Sequence, residues 1–305
     1  MATAGKRVVY TALAGNLAIA VTKFAAAVLT GSSSMLTEAI HSVVDTGNQG
    51  LLLYGMKRSR QKPDIIHPLG YGRELYFWSF IVALLIFAGG AGMSVYEGIV
   101  HIRYPEPIDH PIINYIVLGA AFLFEGASWR VAHQEFRQAQ GDMGWWEAIR
   151  RSKDPATFVV LFEDSAALVG ILIAALFIGL AEALNDPRLD GVGSVLIGIV
   201  LGIVAILLAR ESKGLLIGER ASPALSADVT AIAQTQPGVC AVNNVLTIHL
   251  APDQVLVTIS LDFEDRLDTR KIEAAVTEIE RRARVAHPEI SSVFIRPQAR
   301  EAIMS

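Results

Sequence analysis

One stretch near the start of the chain combines groups that can do chemistry with surroundings that should exclude them: Glu38-Ala-Ile-His41-Ser-Val-Val-Asp45-Thr-Gly-Asn48-Gln49. On a helix, His41 and Asp45 are four apart and share a face, with Glu38 three residues before and Asn48 three after. The flanking run is apolar enough to enter a bilayer, where ionisable groups are costly and mark pathways for ions or substrates. A hydrogen-bonded contact between helices would account for one such residue, but less well for four on one side. A second acidic pair follows at Leu161-Phe-Glu163-Asp164-Ser-Ala-Ala167. Pro155 sets it nearly two turns inside a helix, too deep for a simple interfacial acid. Adjacent carboxylates among apolar neighbours cannot both stay ionised without a cation beside them. Imidazole with carboxylates suits Zn²⁺, and carboxylate-rich sites also accept Mn²⁺, Fe²⁺, Co²⁺ or Cd²⁺. The absence of thiolate implies moderate affinity, as a carrier that must release its ion requires.

These residues need helices that cross a membrane. The 305 residues are 52% hydrophobic with a mean hydropathy of +0.42, concentrated in runs near the ~20 residues a bilayer core needs. Six spans are expected, at about 8–30, 34–56, 71–101, 112–132, 155–183 and 190–209. The Lys6–Arg7 start is read as leading into a retained first span rather than a signal peptide. Lys6 and Arg7, the Lys57–Lys62 cluster, Arg137 and Arg150–Lys153 alternate with loops whose basic residues are Arg103 and Arg188. By the positive-inside rule both ends are cytoplasmic. The expected setting is a multi-pass protein of a bacterial inner membrane. Asp154 is the expected N-cap of the fifth span, ahead of Pro155.

Beyond Lys213 the pattern turns soluble. A short helix at 226–235, strands at 242–249 and 254–263, a helix from Asp268 or Thr269 to Val285, and a strand at 292–296 make an α-β-β-α-β unit. Ile272, Val276, Ile279 and Ala283 form the second helix's expected buried face. The division is 1–213 for an α-helical membrane domain and 214–305 for a small cytoplasmic α+β domain. A net charge of −4 gives no reason to expect nucleic acid as a partner. Cys240 stands alone, which excludes an intramolecular disulfide framework and a Cys-rich zinc cluster. An intramembrane metal-dependent hydrolase is the competing class, but there is no HExxH and no nucleophile motif, so no catalytic residue is assigned. An ion channel would favour repeated pore rings over one chelating site.

With these residues in view, the chain resembles the cation diffusion facilitators. The resemblance rests on Gly31-Ser-Ser-Ser-Met-Leu-Thr-Glu38 before His41-x-x-x-Asp45, on His67-Pro-Leu-Gly-Tyr-Gly-Arg-Glu74, and on Asp190 opening the sixth span. Glu163-Asp-Ser-Ala-Ala-Leu168 looks like the branch containing the mitochondrial zinc transporter nine. The resemblance implies a homodimeric metal/proton antiporter, without resident cofactor, whose site uses two residues on the second helix and two on the fifth. His41 and Asp45 carry over directly. On the fifth helix, Asp164 taken as the family aspartate would leave Val160 as its partner position, which cannot ligate. A helix-face reading groups Glu163 with Ala166, Ala167 and Gly170 and favours Glu163. Both acids are kept in the site, with Asn48, Asn16 and Glu38 next. In the loop after the second span Asp64 and His67 could hold a weak regulatory ion, although Tyr71 stands where the family has a further histidine. In the soluble domain Ser260 and Arg296 replace ligating histidines, while His249 and His287 stand alone. No tight metal cluster is expected there, and dimerisation is its expected role. Arg73 and Glu219 match a pair that interlocks subunits in relatives, and are equally readable as solvated charges. Lys23 with Glu125 is a candidate intramembrane pair, whereas Glu97, Arg130 and His133 read as snorkelling near span ends.

Overall fold

The computed structural model describes residues 2–30, 33–105, 111–141, 144, 148–149 and 152–299. The chain forms two compact units, one built from Ala2–Lys62 and Glu74–Lys213, the other from Pro63–Arg73 and Gly214–Ser305.

Six long helices make the first unit: α1 (Ala2–Thr30), α2 (Ser33–Arg58), α3 (Glu74–Arg103), α4 (Pro111–Gln140), α5 (Pro155–Leu184) and α6 (Arg188–Ile217). Five of them are long and apolar enough to span a bilayer. Among the described residues α2 is not, because Asp45, Asn48 and Gln49 interrupt its apolar run. At 26 residues it is still long enough to cross a bilayer, so the helix with the costliest side chains depends on its neighbours for an apolar setting. The fourth and sixth helices run past their expected ends at 132 and 209. The third starts at Glu74, leaving Tyr71 in the preceding loop.

Local chemistry explains the helix ends. Asp154 accepts from the Ala156 amide at 3.2 Å and from the Thr157 hydroxyl at 2.9 Å, capping α5 ahead of Pro155. At the other end Asn185 takes a left-handed conformation (φ 53°), and the Asp186 amide donates to the Ala181 carbonyl at 3.1 Å before Pro187 turns the chain. Within α3, residues Ile86–Gly92 are π-helical, where Gly89, Gly90 and Gly92 remove the side chains that would resist a wider turn. α3 and α6 cross in backbone contact. A Cβ on Gly98 would stand 2.6 Å from the Gly191 carbonyl oxygen, and one on Gly191 would stand 2.7 Å from that of Gly98. Only glycine at both positions permits this approach.

The second unit contains α7 (Pro223–Gln234), β1 (Val239–Ala251), β2 (Gln254–Phe263), α8 (Thr269–Ala286) and β3 (Ile290–Pro297). The strand order is β1-β2-β3, with β1/β2 antiparallel and β2/β3 parallel. Central β2 alternates as expected: Val255, Val257, Ile259 and Leu261 are fully buried against Leu225 and Val229 of α7 and Ile279 and Ala283 of α8. The buried face of α8 is Ala275, Ile279 and Ala283, with Ile272 and Val276 only partly covered. The stripe is rotated from the expected one because a small residue lets the helix lie close to the sheet. Asp268 caps α8 through the Lys271 amide at 2.9 Å, and Ser222 caps α7 through that of Leu225 at 3.1 Å.

Candidate metal-transport site

The π-helical turn of α3 faces a cavity of about 620 Å³ among the membrane helices. Asn16 and Lys23 of α1, Ser42, Asp45 and Asn48 of α2, Glu125 of α4, and Glu163 and Asp164 of α5 line it. Its wall carries six carboxylates, Asp45, Glu97, Glu125, Glu163, Asp164 and Asp190, and among the described residues one ammonium, Lys23.

Two neighbouring acids on α5 serve different sides of this cavity. Successive side chains diverge by about 100° around a helix. Glu163 turns toward α2, where Gln49 Nε2 donates to its Oε2 at 2.8 Å. Gln49 is completely buried and lies four residues beyond Asp45, on the same face. The Asp45 charge also acts on Glu163. Asp164, 1% exposed, turns toward α4, where Glu125 and Ser128 face it. Asp164 Oδ2, Ser128 Oγ, Asn48 Oδ1 and Gln49 Oε1 are all buried without a hydrogen-bond partner. Buried polar atoms are ordinarily satisfied, so the unsatisfied oxygens of Asn48 and Asp164, both on the cavity wall, suit a polar guest.

Asn16 and Asn48 are buried on the cavity wall, while Glu38 and His41 stand on α2 with side chains outside those described. Among the described residues no three His, Cys, Asp or Glu side chains converge closely enough to hold a metal ion by themselves. Asp64 organises its own loop: Oδ1 accepts from the Ile66 and His67 amides at 2.9 and 2.6 Å, and Oδ2 from the Tyr71 hydroxyl at 2.6 Å. These bonds, led by that of Tyr71, hold its carboxyl below the usual value. Nδ1 of His67 lies 3.6 Å from Asp64 and its ring packs on Tyr71, so both candidate loop ligands are engaged in shaping the turn.

Several residues differ from expectation. Glu97 lines the cavity with His101 and Asp190 instead of snorkelling, because α3 continues to Arg103 and carries it inside. Lys23 and Glu125 both reach the cavity, and the Lys23 charge acts on Glu125. His133 stacks on Trp129 with ring centres 4.7 Å apart. His287 does not stand alone: Nε2 lies 3.1 Å from Asp228 and Nδ1 lies 3.5 Å from Glu289. His249 is buried, with Nδ1 3.3 Å from the Ala251 carbonyl oxygen. Ser260 donates to Gln298 at 2.9 Å. Arg73 lies against Gly218, one residue from Glu219. Gln49 was absent from the sequence-derived site, although its spacing of four from Asp45 was a signal for it.

Residues 9–217 match the family model of the cation efflux transmembrane domain. The chain is 38% identical over 251 residues to the proton-coupled zinc antiporter SLC30A9, mitochondrial, of Homo sapiens, covering 81% of this chain and 44% of that protein. The Xenopus laevis protein of the same name is 36% identical over 250 residues, covering 81% and 45%. Metal tolerance protein C4 of Arabidopsis thaliana is 37% identical over 215 residues, covering 70% and 47%. The chain thus spans less than half the length of these curated relatives. A multi-pass helical fold, a polar cavity among its spans and a domain match over most of the membrane unit agree: the chain belongs to the cation efflux family, the cation diffusion facilitators, and is related to its SLC30A9 branch.

Proposed function

We propose that this chain exports a divalent metal ion, zinc first, across a membrane in exchange for protons, as a homodimer working by alternating access. One observation carries the reading: Asp45, Glu163 and Asp164 line one cavity among membrane helices, with Gln49 donating to Glu163 and an oxygen of Asp164 left unsatisfied. A doubly charged guest offsets the desolvation of such groups. His41 and Asp45 of α2 and Glu163 and Asp164 of α5 are the proposed ligands, with Asn48, Asn16 and Glu38 as supporting groups. Ligands must be deprotonated to hold a metal, so protons arriving from the far side expel it. Mn²⁺, Fe²⁺, Co²⁺ and Cd²⁺ fit the same donors and belong in a side-by-side transport comparison.

Zinc and proton coupling are in the printed names of the SLC30A9 relatives and support the choice of cargo. The proposed location is a membrane that sustains a proton gradient. The sequence favours a bacterial inner membrane, and the relatives' names are mitochondrial. The basic loops support placing both ends of this chain on the cytoplasmic side. A hydrolase reading gains no support from the family match or from the relatives, which are named as transporters. The 214–305 portion is proposed to serve dimerisation. On the sheet face away from α7 and α8, Leu246 and Phe294 are 62% and 56% exposed, and both pair in register with Thr258. An aligned apolar rung of this kind suits a second copy.

The test is pH-gradient-driven zinc uptake into sealed vesicles by the wild-type chain and Asp45→Ala. The substitution should abolish uptake, and equal uptake by the two would overturn the transporter assignment.

A further inference from the structure

Most of the α4 surface toward the cavity is what a membrane helix should present to its neighbours. Asn114, Val117, Leu118 and Ala121 line it at helical spacing, apolar after the first, and the next position on that stripe is Glu125. A carboxylate on a mostly apolar membrane helix is destabilising unless a cation comes to it. The charges of Asp164, Asp45 and Lys23 act on it. Asp164 lies across from it on α5, 1% exposed, with Oδ2 buried and unsatisfied. Ser128, one turn along α4 and 3% exposed, faces Asp164. Lys23 of α1 is the ammonium on this wall, facing a cavity with six carboxylates.

We infer that Glu125 is a further residue of the cation site: with Asp164 it extends the proposed site onto α4 as an α4–α5 station for the transported divalent ion, beside the α2–α5 part made by His41, Asp45 and Glu163. Asp164 and Glu163, consecutive on α5, let one helix serve both. Lys23 supplies the resting counter-charge near Glu125, so the station need not collapse when the ion leaves. The ligand class is a hard-to-borderline divalent cation, because the station offers carboxylate and hydroxyl oxygen only. The inference rests on the transporter reading and extends it to a fourth helix.

The test uses the full chain in vesicles and in detergent, with ZnCl₂ as probe. Wild type, Glu125→Gln, Glu125→Asp and Asp45→Ala are compared for zinc uptake and for zinc binding by calorimetry. Loss of one charged ligand should raise KM and Kd for zinc about tenfold in Glu125→Gln, with partial recovery in Glu125→Asp. Glu125→Gln within twofold of wild type in both constants, with Asp45→Ala inactive, overturns this inference and leaves the transporter reading standing. Normal uptake by Asp45→Ala sinks the transporter reading itself. In case Glu125→Gln fails to fold, the wild-type chain is labelled with carbodiimide and glycine ethyl ester, with and without zinc. Zinc should protect Glu125 at least fivefold relative to an exposed acid such as Glu273, and equal labelling overturns the station.

Discussion

At the scale of single residues, the membrane site depends on how neighbours divide the work. The sequence could place His41 and Asp45 on one helical face and could mark Glu163 and Asp164 as costly. It could not say toward which helix each acid turns, because adjacent residues differ by a rotation and the register of α5 against α2 and α4 is set by packing. That register makes Gln49 the residue that meets Glu163. An uncharged amide gave the sequence little to flag, yet it donates to a buried carboxylate. Hydrogen bonds to charged groups contribute about 1.5–3 kcal/mol, roughly a tenfold or greater change in an equilibrium constant. Gln49→Leu should keep the helix, remove the donor, and raise the KM for zinc about tenfold with smaller changes in the maximal rate. Uptake kinetics in vesicles at several zinc concentrations check it. An unchanged KM would mean that the amide only fills space.

At the scale of elements, the caps were the most legible part of the chain. Asp154 ahead of Pro155, Asn185 ahead of Pro187 and Asp268 ahead of Thr269 each stand where local rules put them, because a cap depends on four or five consecutive residues. The alternation of β2 was equally readable, since a central strand covered by helices shows its core face as every second residue. Helix lengths were not, because α4 and α6 continue into polar sequence that composition alone assigns to loops. The crossing of α3 with α6 was also hidden: Gly98 and Gly191 are 93 positions apart, and only their mutual approach reveals why both are glycine. Gly191→Val tests that contact. Its Cβ would meet the Gly98 carbonyl oxygen and the Ile102 amide nitrogen at 2.7 and 2.9 Å, both backbone atoms that cannot turn aside. Overpacking typically destabilises by about 1–3 kcal/mol. A lowered Tm in detergent and reduced zinc uptake are expected, with Gly191→Ala milder. A Val variant as stable as the wild type would show that the two helices separate freely.

At the scale of the whole molecule, the question is what covers the open face of the small sheet. One side carries the core formed with α7 and α8. On the other, Leu246 of β1 and Phe294 of β3 flank Thr258 of β2 in one register rung, both more than half exposed. The adjacent rung pairs Asn244, Ser260 and Arg296, so the apolar patch has a polar border, the arrangement of a protein interface. A patch this small is not a complete interface, since stable ones bury about 800 Å² on each partner, but it can be the desolvated centre of one. A charge at that centre should be far more disruptive than one at the border. If the proposed homodimer forms through this face, Leu246→Asp combined with Phe294→Asp in the full chain should shift the particle from dimer to monomer in light scattering, at unchanged secondary structure. Arg296→Ala, at the rim, should leave the dimer intact within about 1 kcal/mol. A double variant that stays dimeric would move the subunit contact away from this sheet face.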